Sequence, residues 1–94
     1  MIEPLVIDGY TWNLLTKAIV NLGTTTQTDI AIEEMSELTK AICKYKRSKY
    51  DQENMAEEIS HVILMLQQLL VLFDNKDLVQ VYYNEAIKRL EGLV

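Results

Sequence analysis

The chain has 94 residues, of which 49% are hydrophobic and 24% charged, and it carries a net charge of −5. That composition is too apolar for a disordered segment. The length is that of one domain, residues 1–94, which buries only about 60–65% of its unfolded surface, so self-association is an expected source of stability. The negative field disfavours nucleic-acid polymers, because no basic patch is large enough to reverse it. The single cysteine, Cys43, excludes an internal disulfide and a cysteine-rich zinc module, and fits a reducing, cytoplasmic setting.

The start of the chain, Met1-Ile2-Glu3-Pro4, lacks the basic-then-apolar order of a secretory leader. Only one proline and three glycines punctuate the sequence, and strand-like alternation is absent. The expected fold is therefore all-α, an antiparallel bundle of about four helices. The first helix is expected from about Thr11 to Leu22, with Asp8 or Thr11 as N-cap and Gly23 as the left-handed residue that ends it. Thr24 to Thr28 reads as a loop. The second helix covers about Asp29 to Lys46, where Ala31, Met35, Leu38, Ile42 and Tyr45 form one apolar stripe. Cys43 falls at helical spacing and reads as core filler. After Arg47-Ser48-Lys49-Tyr50 a third helix begins near Asp51 or Asn54, the latter forming a capping-box pattern with Glu57. Its core face is Met55, Ile59, Val62, Ile63, Leu66, Leu69 and Leu70. Asp74-Asn75 ends it and caps a fourth helix from about Lys76 to Glu91, closed by Gly92.

The run Val62 to Phe73 is the most apolar, yet it is too short to span a bilayer and contains Gln67 and Gln68, so it reads as a buried helix and no membrane partner is expected. Leu64 and Val71 lie away from its main stripe. This helix is thus expected to have neighbours on two sides, supplied by another copy of the chain or by the N-terminal segment.

Two segments carry candidate chemistry. In Ile32-Glu33-Glu34-Met35-Ser36-Glu37-Leu38, Glu34 and Glu37 are three apart and emerge from neighbouring points at the border of the apolar stripe. In Ala56-Glu57-Glu58-Ile59-Ser60-His61-Val62, Glu58 and His61 repeat that spacing and that position. If the second and third helices pack as an antiparallel hairpin, the two edges converge. Carboxylates about 5 Å apart repel by roughly 3 kcal/mol at an effective dielectric near 20. Such a cluster binds a cation, takes up protons or splays into solvent, and solvated glutamates on helix faces are common. Oxygen-rich ligation favours Mg²⁺ or Mn²⁺, ions through which proteins hold the phosphates of nucleotides.

These residues resemble the MazG-like, all-α nucleoside triphosphate pyrophosphohydrolases, especially their small, often phage- or prophage-encoded members. That family is known by Glu-Glu-x-x-Glu on one helix and Glu-x-x-Asp on the next. Here the chain reads Glu33-Glu34-x-x-Glu37 and then Glu58-x-x-His61, and the resemblance extends from about Trp12 to Leu90. It implies a nucleoside triphosphate substrate cleaved between the α and β phosphates, giving the monophosphate and pyrophosphate. Glu34, Glu37 and Glu58 would ligate Mg²⁺, with Glu33 nearby to position or activate water, and Glu34 and Glu37 would be part of the catalytic set. It further implies a homodimer or homotetramer whose neighbouring chains complete the pocket. His61 departs from the family aspartate. As a nitrogen donor it would weaken Mg²⁺ binding and suit Mn²⁺, Co²⁺, Ni²⁺ or Zn²⁺, or it would serve only as a hydrogen-bonding partner of Glu58 or of a carbonyl.

Basic residues are candidates for the phosphates: Lys44, Lys46, Arg47 and Lys49 at the end of the second helix, and Lys88 and Arg89 on the fourth, where Asn84 and Arg89 loosely resemble the family pattern. Trp12 is a candidate for a nucleobase pocket or for the core, and Tyr82 and Tyr83 for stacking or packing. Two other readings stay open. One is a carboxylate-bridged di-metal bundle, for which Glu-x-x-His is a known ligand pair; the other is a non-catalytic helical protein.

Overall fold

Residues 6–94, the part of the chain that the computed structural model describes, form four α-helices: α1 (Gly9–Leu22), α2 (Thr24–Lys46), α3 (Gln52–Phe73) and α4 (Lys76–Leu93). No strand occurs among the described residues, in agreement with the all-α expectation. Met1 to Pro4 lie outside them.

Asp8 begins α1. Its backbone is extended, and its carboxylate accepts a 2.7 Å hydrogen bond from the backbone N–H of Thr11. That bond satisfies one of the orphan donors of the first turn and holds the Asp8 carboxyl below its ordinary range, because it favours the charged form. Thr11 is therefore inside the helix rather than its cap.

Gly23 ends α1 and at once begins α2, so the expected loop Thr24–Thr28 is helical instead. The Gly23 N–H donates to the Ile19 carbonyl at 2.9 Å, and the Gly23 carbonyl accepts from Gln27 at 3.1 Å. One residue closes both helices. Its φ of 91° is positive as expected, but ψ is 152°, an extended value outside the left-handed helical well. The threonines accommodate the helix by bonding back along it: Thr28 Oγ1 donates to the carbonyls of Thr24 and Thr25 at 3.0 Å.

Asp51 caps α3 by accepting a 3.0 Å bond from the Asn54 N–H. Asn54 is thus a first-turn residue, and the capping box expected from Asn54 and Glu57 is not the one used. Asp74, in the left-handed region with φ 48° and ψ 50°, ends α3. α4 runs through Gly92 to Leu93, so Gly92 does not close it.

α2 packs mainly against α3, α1 lies against both, and α4 stands largely apart from the other three. Two cross-helix pairs fix the direction and register. Gln68 Nε2 donates to Gln27 Oε1, and His61 Nδ1 meets Glu34 Oε2 at 2.8 Å. Moving from the first pair to the second goes seven residues forward on α2 and seven back on α3, so the helices are antiparallel. Among the covered residues of α2, Gln27, Ala31, Glu34, Leu38 and Ala41 recur at steps of three and four, and among those of α3 so do Glu58, His61, Met65, Gln68 and Leu72. Alternating steps of three and four are the spacing of a narrow coiled-coil seam.

The seam corrects the expected stripes. Ala31 is buried and Leu38 half-buried, but Met35, Ile42 and Tyr45 are 39%, 46% and 59% exposed. Cys43 is exposed rather than core filler. On α3, Leu70 is buried, whereas Ile59, Ile63 and Leu66 are exposed. A stripe chosen by hydrophobicity passes over the polar residues that occupy the seam, among them the buried Gln27, Glu58 and Gln68. α3 is also not buried throughout, since Leu64 and Phe73 are exposed. By length and composition it is the one described helix able to cross a bilayer, being longer than the Val62–Phe73 run, with a mean hydropathy of 1.4.

Candidate metal centre

Glu34 and His61 occupy facing seam positions, and Glu58 lies one turn before His61 on α3. One ligand atom from each of the three lies within 4.8 Å of the other two. Glu58 is 7% exposed, and its Oε2 has no hydrogen-bond partner. The groove at this point is lined by Ile30, Glu34, His61, Leu64 and Met65, with no lysine or arginine among them.

That combination fits a divalent cation. Two carboxylates at this separation repel by about 3 kcal/mol at an effective dielectric near 20, and a buried carboxylate oxygen with no donor loses solvation without compensation. A cation answers both deficits at once. His61 Nδ1 and Glu34 Oε2, 2.8 Å apart, are close enough to ligate one ion together. Two carboxylates and one imidazole form a mixed oxygen and nitrogen donor set, to which Mn²⁺ and its later neighbours are better matched than Mg²⁺.

The other sequence candidates lie outside this group. Glu33 and Glu37 are exposed on α2. Lys44 is half-buried near the end of α2, and Arg47 terminates that helix by donating its N–H to the carbonyls of Cys43 and Lys44. Lys88 and Arg89 are exposed on α4, and Asn84 Oδ1 accepts from Gln80 Nε2 at 2.9 Å. Trp12 lies beside the start of α4, in a groove lined by Asp74 to Leu78. None of these residues lines the groove at Glu34 and His61.

Two residues whose pairing the sequence reading passed over lie next along the seam from the centre. Gln27 and Gln68, 5% and 1% exposed, form the buried amide pair two turns along the seam, and Gln68 Oε1 has no partner. They line an open groove between α1 and α3, together with Lys17 and Asn21 of α1. This groove shares Leu64 and Met65 with the one at Glu34 and His61. A signal was available in the sequence: Gln27 precedes Glu34 by one heptad and Gln68 follows His61 by one, mirrored offsets that an antiparallel seam brings together.

Comparison with protein-family models, with curated proteins and with solved structures finds no match to the chain.

Proposed function

We propose that the chain is a divalent-metal-dependent nucleotide pyrophosphohydrolase, cleaving nucleoside triphosphates to the monophosphate and pyrophosphate in a homodimer or homotetramer. The observation that carries this reading is the convergence of Glu34, Glu58 and His61, with a buried Glu58 oxygen left unpaired. The resemblance of the two acidic motifs to the MazG-like enzymes supplies the substrate class.

In this reading Glu34, Glu58 and His61 would hold the ion. When bound, the ion supplies charge neutralisation at the phosphates and a lowered pKa for water. Glu37 and Glu33, exposed on the same helix, stand beside the group, Glu37 to complete the ligand set and Glu33 to accept a proton from the attacking water. Ile30, Leu64 and Met65 line the groove beside Glu34 and His61. Lys17 lines the adjoining groove, which shares Leu64 and Met65 with the one at Glu34 and His61.

The test is pyrophosphate release from a panel of nucleoside triphosphates with Mg²⁺ and with Mn²⁺. Release is expected to be faster with Mn²⁺, and Glu58→Gln is expected to lower it by at least about 100-fold while helicity by circular dichroism is retained. No release with any divalent ion, together with no nucleotide-induced thermal shift, sinks the reading.

A further inference from the structure

We infer that one exposed face of α2 is a self-complementary docking surface, whose occupant is the same face of a second copy of this chain, laid antiparallel across a two-fold axis near Leu38 and Thr39. This rests on the homo-oligomeric assembly in the function proposed above, and on none of its metal or nucleotide chemistry.

The helical period defines the face. At about 100° per residue, Asp29, Glu33, Glu37, Lys40 and Lys44, with Arg47 just past the helix end, fall within a sector of about 80°. That sector lies to one side of the seam that holds Glu34, Leu38 and Ala41. Lys44 is half-buried and the other five are exposed. Charge divides the face at its middle, with the acids towards the N-terminus and the bases towards the C-terminus.

The helix dipole favours that order of signs, but it does not account for the spacing. Neighbours four apart, Asp29 and Glu33, Glu33 and Glu37, Lys40 and Lys44, carry like charges, which is unfavourable along an isolated helix. Among the described residues none of the six side chains forms an ion pair. The acids and bases are instead mirrored. Asp29 and Arg47 stand equally far from Leu38, and Glu33 with Lys44, like Glu37 with Lys40, from the point between Leu38 and Thr39. Two antiparallel copies centred there set each acid opposite a base and repeat the set across the axis, as a closed two-fold contact requires. A parallel pairing in register sets acid on acid and base on base.

Net charge favours a second copy as the occupant. The chain carries −5, yet five of its nine basic residues, Lys40, Lys44, Lys46, Arg47 and Lys49, lie between Glu37 and Asp51, where no acid occurs. Copies of an acidic chain repel except where this basic end meets an acidic stretch, and such pairs fix orientation and register. Ile32, 61% exposed, and the exposed Cys43 border the face on one side and come opposite each other in the same arrangement.

Two measurements without metal or nucleotide test this. The first is sedimentation velocity of two double variants that keep their helicity by circular dichroism. Lys40→Glu with Lys44→Glu makes the basic half acidic, and Glu33→Lys with Glu37→Lys makes the acidic half basic. Each alone is expected to associate at least about tenfold more weakly than the parent, and an equal mixture is expected to form the heterodimer in preference to either homodimer. Unchanged association of both variants, or a mixture that pairs without preference, overturns the inference. The second is zero-length carbodiimide cross-linking of a mixture of ¹⁴N- and ¹⁵N-labelled wild-type protein. An amide between Glu33 of one label and Lys44 of the other is expected; within one copy these residues are about 16 Å apart along the helix and out of reach. Absence of that mixed-label product overturns the inference even if the variants fail to fold. The cross-link without pyrophosphate release upholds the surface and rejects the hydrolase; release without the cross-link does the reverse.

Discussion

At the scale of single residues the telling group is Glu58, whose carboxylate is covered by the seam and holds an oxygen with no donor. The sequence reading placed Glu58 and His61 at the border of an apolar stripe, close enough to foresee their meeting with Glu34 but not the burial of Glu58. Glu37 shares the motif spacing and is exposed, because from Glu34 the seam steps four residues to Leu38, and Glu37 falls about 100° short of it. His61 is the residue where chemistry departs from an all-carboxylate site. His61→Asp would place a third carboxylate in the group, adding repulsion of about 3 kcal/mol per close pair at an effective dielectric near 20. The variant is expected to melt at a lower temperature without metal and to bind Mg²⁺ at least about tenfold more tightly by calorimetry. An unchanged Mg²⁺ affinity would leave His61 only as the hydrogen-bonding partner of Glu34.

At the scale of elements, the joint between α1 and α2 is a single glycine. Its φ of 91° with ψ of 152° lies in a region open almost only to glycine. Nothing lies within 4 Å of the place where a Cβ would stand, so a side chain there meets only backbone strain. Gly23→Ala is expected to lower unfolding stability by about 1–3 kcal/mol, read from urea denaturation, and to widen or narrow the groove on α1 that Gln27 and Gln68 floor. A variant as stable as the parent would show that the joint relaxes freely. The helix count and the α3–α4 boundary at Asp74 were legible from period and capping residues. The threonine run was not, because it carries no apolar period and threonine favours other structures when it stands alone. The N-cap of α3 was legible only as a choice between Asp51 and Asn54, since both have side chains suited to the position.

At the scale of the whole molecule, the radius of gyration is 15.3 Å, against about 12 Å for a compact domain of this length. The excess reflects α4, which stands largely apart and leaves a groove lined by Leu66, Leu69, Phe73, Val79 and Tyr83. Val20, Ile42, Phe73 and Leu90 are among the large apolar side chains more than 40% exposed. The sequence signalled this surplus through Leu64 and Val71, though not the separation of α4, because a repeat of three and four marks a helix as amphipathic without naming what covers it. Size-exclusion chromatography with light scattering is expected to show two or four chains per particle at micromolar concentration. Phe73→Glu is expected to shift that population towards monomer with helicity retained. A monomeric parent would contradict the proposed assembly.

The antiparallel seam also decides where the chain is free to change length. Between Ser48 and Asp51 the connection spans two ends already held in register by Gln27 against Gln68 and by Glu34 against His61, so adding or losing a residue there changes the turn and its contacts with the end of α2 while leaving the seam in register. Between Gln27 and Glu34 the loss of one residue turns one side chain by about 100° relative to the other. The amide floor of the groove and the carboxylates would then face different helices, and no repacking of neighbours could bring them back to one line. The seven-residue interval is a fixed ruler for whatever molecule lies along it.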